Sequence, residues 1–186
     1  MFSLLKKIIG YFSNWFLYLA LFHGDKVKYL RYRGARIGKG CSIFNSIFAF
    51  SEPWLIEIGD NVTLTSGVLL ITHDGSSRLF RKEIAGMNPV FGNRFGTIRI
   101  LDNCFIGVNT IILPDVTIGP CSIVGAGSVV TGNVPASTVY AGNPARYICS
   151  IEEYKIKYAQ KMIEVNSTDR ASLRKELSKY FWQEER

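Results

Sequence analysis

Aliphatic residues recur at every sixth position through the second half of the chain. From residue 100 the sequence divides into hexads whose first residues are Ile100, Ile106, Ile112, Ile118, Val124 and Val130. The fifth residue of each hexad is small or β-branched, and these residues are Cys104, Thr110, Val116, Ser122, Ser128 and Val134. A helix repeats its apolar face every 3.6 residues and a half-buried strand repeats it every two. The strict period of six therefore predicts a coil of short strands, with one inward aliphatic side chain on each flat side.

The same period occurs earlier in the chain, at residues 37–42 and again from 58 to 75. Between Phe48 and Ile58 the register shifts, and we expect a bulge near Pro53-Trp54. Glycine, asparagine and aspartate at fixed offsets should supply the turn conformations between the sides. The pattern thus predicts a mainly β domain over residues 37–148, between a helical arm (1–36) and C-terminal helices (149–186).

The hexads are interrupted at residues 74–97, which contain Gly, Asn, Pro and basic residues. This composition predicts a loop extruded from the coil, and loops held by rigid scaffolds often carry function. His73 stands at the start of the loop and is the only histidine of the repeat region. Imidazole is the usual general base for removing a hydroxyl proton near neutral pH. Asp74 either orients this imidazole or faces solvent, and Glu83 is a less favoured alternative orienter.

The hexads, the stretch VVTGNVPASTVYAGNPAR (129–146) and the Thr-His-Asp sequence (72–74) before a long loop resemble the hexapeptide-repeat acyltransferases. The resemblance is closest to the branch that contains galactoside, maltose and polysaccharide O-acetyltransferases. It implies a left-handed parallel β-helix. It also implies transfer of acetyl from acetyl-CoA to a hydroxyl of a saccharide, with His73 as the general base.

The same resemblance implies a homotrimer that binds acetyl-CoA in grooves between subunits. The positions that match the groove of the family are Val108, Ala126, Thr131, Gly132 and Arg146. Arg146 would meet a phosphate of the donor. Relatives often carry lysine at the position of Gly132, so one phosphate contact is expected to be absent or supplied elsewhere. Phe105 stands where tryptophan is common, which retains an aromatic ring.

Three residues are candidates for binding the acceptor. Asn45 matches an asparagine that galactoside and maltose acetyltransferases place near the acceptor hydroxyl, although it also suits a turn. Arg78 and Arg94 lie in the extruded loop and either contact a polyhydroxylated or anionic acceptor or are solvated.

The net charge of +7 is concentrated in the N-terminal arm, since residues 1–36 hold seven Lys or Arg against one Asp. The apolar run at 8–22 is too short for a confident membrane span. The arm either packs as amphipathic helices or makes peripheral contact with the membrane. Its basic residues are interleaved with hydrophobic ones, so nucleic acid is not an expected partner. We expect a cytoplasmic protein, or one at the inner face of the membrane.

The four cysteines lie far apart without a CxxC pair, so neither a metal site nor a disulfide scaffold is expected. A zinc carbonic anhydrase on this fold would need three histidines per site, whereas residues 37–146 contain one. Two alternatives to saccharide O-acetylation remain open. One is an amino-sugar N-acetyltransferase on the same scaffold, and the other is a non-catalytic protein with this fold.

Overall fold

The computed structural model describes residues 18–19, 21–44, 51–76, 79 and 94–182. Helix α1 (Lys26–Tyr32) precedes the coil, and the Asp25 side chain caps it by accepting a hydrogen bond from the Lys28 N–H at 3.0 Å. Within the described part of the chain, no helix is long and apolar enough to cross a membrane. Residues 1–17 and 20 of the arm lie outside the described residues, as do Asn45, Arg78 and Glu83.

The coil has three sides, each a sheet of parallel strands, and a single antiparallel strand is added at its end. Sheet A contains β1 (Arg36–Ile37), β3 (Ile56–Ile58), β8 (Ile98–Ile100) and β11 (Val116–Ile118). Sheet B contains β2 (Ser42–Ile43), β4 (Thr63–Leu64), β9 (Phe105–Ile106), β12 (Ile123–Val124), β14 (Thr138–Ala141) and the antiparallel β15 (Arg146–Ser150). Sheet C contains β5 (Leu69–Leu70), β10 (Ile111–Ile112) and β13 (Val129–Val130).

From β3 to β13, the strands of the coil follow the order sheet A, sheet B, sheet C. From β8 to β13, partners on adjacent strands of a sheet are 18 positions apart, as in the pairs Ile98↔Val116, Phe105↔Ile123 and Ile111↔Val129. Three hexads therefore make one turn of the coil, which confirms the prediction of one short strand per hexad.

The interior of the coil is formed by the first and fifth residues of the hexads. The six aliphatic residues from Ile100 to Val130 are at most 1% exposed. The hydroxyl and thiol groups at the fifth position donate to carbonyl oxygens of the coil. The Ser122 hydroxyl donates to Pro135 O at 2.8 Å, and the Cys104 thiol to Gly119 O at 3.0 Å. The buried polar atoms are thus satisfied, as burial requires.

The corners of the coil explain the recurring Asn and Gly. Asn61 and Asn103 adopt φ of 56° and 58° at the corner between sheets A and B, in the left-handed region that asparagine tolerates. Gly119 has a different reason, because a Cβ there would lie 2.5 Å from the backbone nitrogen of Ala136 on the next coil. Close stacking of the coils therefore requires glycine at this corner.

The register shift has a different form from the one predicted. The chain makes a 3-10 turn over Pro53–Leu55 in place of the expected bulge, and β3 then pairs with β1. Proline fixes φ near −65° and suits the first turn of a helix. The bulge prediction was therefore wrong at this point.

The chain divides into two compact units, residues 1–152 and residues 153–186. The predicted C-terminal helices are α2 (Ile151–Ala159) and α3 (Arg170–Trp182). Asp169 caps α3 by accepting hydrogen bonds from the backbone N–H groups of Ala171 and Ser172 at 2.8 and 3.0 Å.

Candidate active site

His73 lies where the chain leaves the coil. A two-residue strand, β6 (His73–Asp74), follows sheet C and pairs antiparallel with β7 (Arg94–Phe95), after which the chain re-enters sheet A at Ile98. The base of the extruded segment is therefore a backbone-paired ladder, which holds His73 against the coil.

A cleft of about 440 Å³ opens beside this ladder. Its apolar wall comes from the residues that follow the strands of sheet C on adjacent coils, and its polar rim comes from both sides of the ladder. The lining residues are Ile71, His73, Asp74, Gly75, Arg94, Leu113, Pro114 and Thr131. Three predicted site residues, His73, Asp74 and Arg94, thus share one cleft with Thr131, which was predicted to bind acetyl-CoA.

Among the described residues, only one of the two His73 ring nitrogens has a polar partner. Its Nδ1 lies 3.0 Å from Glu52 Oε2. Its Nε2 has no hydrogen-bond partner among the described residues. The ring also contacts Phe95, with centroids 5.7 Å apart. The side chain is 38% exposed, so a ligand in the cleft can reach it.

Glu52 is a site residue that the sequence did not reveal. It lies 21 positions before His73, on the far side of the register shift, and it immediately precedes the 3-10 turn. The hydroxyl of the buried Thr72 donates to the same carboxylate oxygen. An acidic residue at the break in the hexad pattern was the only sequence signal.

Asp74 makes local contacts. Its carboxylate accepts hydrogen bonds from the Ser76 N–H at 2.8 Å and from the Ser76 hydroxyl at 3.0 Å, and the side chain is exposed. These hydrogen bonds, the backbone one first, hold the pKa of Asp74 below its ordinary value. Of the two alternatives that the sequence left open, the geometry favours the solvent-facing one.

Arg94 forms an ion pair at the rim of the cleft. Its Nη2 lies 2.7 Å from Asp115 Oδ2, and both side chains are more than half exposed. The guanidinium therefore retains donors that face solvent, although part of its charge is offset.

The residues predicted to bind acetyl-CoA lie at the two ends of sheet C. Val108 and Ala126 occupy the corner before its strands on successive coils, where the Gly127 N–H donates to Val108 O at 2.7 Å. Thr131 and Gly132 occupy the corner after its strands, on the side of His73. A Cβ at Gly132 would meet nothing within 4 Å, so this position is open.

Arg146 lies on the antiparallel strand that closes sheet B. It follows Ala145, whose N–H donates to Val129 O of sheet C at 2.8 Å, and its own Nη1 donates to Ala145 O at 3.0 Å. The side chain is exposed. Its guanidinium is therefore anchored at one nitrogen and presents the others to solvent.

Comparison with known proteins identifies the family. Residues 97–132 match the family described as bacterial transferase hexapeptide (six repeats). Protein CapG of Staphylococcus aureus is 49% identical over 136 residues, which are 72% of this chain and 74% of CapG. The chain belongs to the hexapeptide-repeat transferase family. The family resemblance predicted from the hexads is thereby confirmed.

Other members of the hexapeptide-repeat transferase family match less of the chain. Galactoside O-acetyltransferase of Escherichia coli is 34% identical over 119 residues, and the chain spans 55% of its length. A hexapeptide-repeat acetyltransferase of Vibrio cholerae, solved in complex with acetyl coenzyme A, aligns with a TM-score of 0.50 at 23% identity, over 69% of this chain and 77% of that chain. That likeness concerns the fold.

Proposed function

We propose that this protein transfers the acetyl group of acetyl-CoA to a hydroxyl of a saccharide, with His73 as the general base. The observation that carries the proposal is the state of His73. Its Nδ1 is held by a carboxylate, its Nε2 has no partner within the described ranges, and the residue lines a cleft of about 440 Å³ that also contains Thr131. Family membership supplies the reaction class, and the similarity to galactoside O-acetyltransferase supports a saccharide acceptor.

The proposed reaction is a direct transfer. His73 Nε2 accepts the proton of the acceptor hydroxyl while the hydroxyl oxygen bonds to the thioester carbonyl carbon. Collapse of the tetrahedral intermediate breaks the carbon–sulfur bond. The imidazolium then returns its proton to the departing CoA thiolate. An acyl-cysteine route is disfavoured because Cys104 is buried and burial raises the pKa of its thiol.

The donor groove is proposed to lie between subunits of a homotrimer. Val108 and Ala126 stand at one end of sheet C and Thr131 and Gly132 at the other. A groove formed by one end of sheet C from one subunit and the other end from its neighbour would bring both pairs to one acetyl-CoA. Arg146 would contact a CoA phosphate. The left-handed winding of the coil belongs to the same proposal.

The acceptor is proposed to bind at the rim of the cleft, where Arg94 would contact it. Asn45 and Arg78, which lie outside the described residues, are further candidates. The remaining donors of the Arg94 guanidinium suit hydroxyl or carboxylate groups of a sugar. The basic arm at residues 1–36 would bring the enzyme to a lipid-linked acceptor at the inner face of the membrane.

A thiol-release assay tests this function. The protein is incubated with acetyl-CoA and nucleotide sugars, free oligosaccharides or lipid-linked glycans, and release of the CoA thiol is measured. Mass spectrometry and NMR then identify the acetylated product and the position of the acetyl group. We expect O-acetylation of a saccharide. Release with amino sugars alone would instead identify an N-acetyltransferase.

His73→Ala tests the base. We expect turnover to fall by about three orders of magnitude while acetyl-CoA binding persists, because the hydroxyl keeps its proton until attack. The control is His23→Asn, which replaces the chain's other histidine at a φ of 50° that asparagine tolerates. Near-normal turnover of His73→Ala would refute the proposed role.

A further inference from the structure

The carboxylate beside His73 comes from a distant part of the coil. Glu52 Oε2 lies 3.0 Å from His73 Nδ1, and its side chain is only 17% exposed. A carboxylate accepts hydrogen bonds and does not donate them, so Nδ1 carries the proton in this pair. The other ring nitrogen, Nε2, then has a lone pair available to act as a base.

Glu52 is restrained at both ends. Its backbone oxygen accepts the N–H of Leu55 at 3.0 Å, and the adjacent Pro53 is buried in the 3-10 turn. The carboxylate oxygen that faces His73 also accepts the hydroxyl of Thr72, which is fully buried. The acid is therefore fixed before any substrate binds, which is the condition for an effective orienting group.

Asp74 does not compete for this role. Its carboxylate is occupied by two hydrogen bonds from Ser76 and is exposed to solvent. Among the described residues, Glu52 is the acidic residue that contacts the His73 ring.

We infer that Glu52 is a positioning residue for His73. It keeps the proton on Nδ1, sets the plane of the ring and offsets the charge of the imidazolium that forms when Nε2 accepts the acceptor proton. The inference rests on the proposed function. No proton moves to Glu52, because the proton taken by Nε2 leaves with the CoA thiol.

Glu52→Gln provides the first test, because it preserves the shape of the side chain and removes its charge. We expect kcat to fall about 100-fold or more, because glutamine also offers an N–H that stabilises the wrong tautomer. The KM for acetyl-CoA should stay within about twofold of the wild-type value, since the substitution removes no interaction that binds the substrate before reaction. The matched control is Glu57→Gln on the outer surface of sheet A, where Glu57 pairs with Arg99 at 3.4 Å, and it should retain full kcat.

The tautomer can be observed directly. The chain has two histidines, so ¹⁵N-histidine labelling gives two sets of ring signals, and His73→Ala assigns them. At a pH where the ring is neutral, we expect the wild-type His73 to be protonated on Nδ1, and Glu52→Gln to shift the population toward Nε2–H. Thr72→Val removes one restraint on Glu52 without replacing the acid, and we expect a smaller fall in kcat with Nδ1 still mainly protonated.

The outcomes separate the two proposals. If His73→Ala is inactive but Glu52→Gln is folded, retains the Nδ1–H signal and keeps full kcat, the role of Glu52 is refuted and the proposed function stands. If His73→Ala is active, the proposed function fails. If Glu52→Gln does not fold, Thr72→Val decides, because full kcat in that variant would overturn the inference.

Discussion

Cys104 and Cys121 carry the same thiol in opposite surroundings. Cys104 is 2% exposed and donates to Gly119 O, whereas Cys121 is exposed at a corner with a φ of 57°. Burial raises the pKa of Cys104 above its ordinary value of 9.0, because the thiolate loses solvation inside the coil. The thiol of Cys104 is therefore shielded from reagents that can reach the thiol of Cys121.

This raised pKa predicts a stability difference at alkaline pH. The folded state binds the thiol proton more tightly than the unfolded state. The stabilisation is therefore complete below the unfolded pKa of 9.0 and is lost as the pH rises toward the folded value. The free energy of unfolding of the wild type should fall more steeply above about pH 9 than that of Cys104→Ser, measured by denaturant titration with circular dichroism.

Cys121→Ser is the control for this comparison. Its alkaline slope should match that of the wild type, since the thiol it removes is exposed. Equal slopes for Cys104→Ser and the wild type would contradict the prediction.

The elements of the coil depend on how closely successive coils approach. Glycine at the second position of a hexad places no atom between a corner and the corner above it. A methyl group at Gly119 would fall 2.5 Å from a backbone nitrogen, whereas at Gly132 it would fall in open space. Two glycines at corners of one coil thus have opposite tolerance for a side chain.

Gly119→Ala should therefore destabilise the protein and Gly132→Ala should not. We expect Gly119→Ala to lower the free energy of unfolding by about 1–3 kcal/mol, because backbone atoms must separate to admit the methyl group. Gly132→Ala should change it by less than about 0.5 kcal/mol. Thermal or chemical denaturation checks both, and equal losses in the two variants would show that stacking distance is not the cause.

How much of these elements the sequence predicts depends on how local their causes are. The inward positions from Ile100 to Val130 follow from a period within each hexad, and all are buried as predicted. The contact between Glu52 and His73 depends on how far the chain advances through the turn at Pro53–Leu55, which no periodic pattern encodes. His73 was predictable because it is the sole histidine of the repeats, whereas Glu52 is one acid among several.

At the scale of the whole molecule, the outer surfaces of the sheets differ in polarity. Sheet A presents Arg36, Glu57 and Arg99 on adjacent strands. Sheet C presents Leu69, Ile111 and Val129 on adjacent strands, and Leu69 is 41% exposed. An apolar outer surface is typical of a subunit interface, and a charged one is typical of a solvated side. The contrast supports sheet C as the contact side of the proposed trimer.

Ile111→Glu should disrupt that assembly. The substitution would place a charge at the centre of the apolar row, where burial without a partner is costly. We expect a monomer by size-exclusion chromatography with light scattering, together with loss of transferase activity. Thr117→Glu, which adds the same charge beside Arg99 on sheet A, should remain trimeric. A trimeric, active Ile111→Glu would exclude sheet C as the interface.

The ladder between His73–Asp74 and Arg94–Phe95 has a consequence for how acceptor preference can change. The chain leaves after sheet C and returns with Ile98 directly beside Ile56. The extruded segment therefore does not change the number of stacked coils, whatever its length. Replacing or resizing the segment between the two ladder strands would leave the register between successive coils unchanged. If the segment contacts the acceptor as proposed, its sequence can change without altering the coils that position His73.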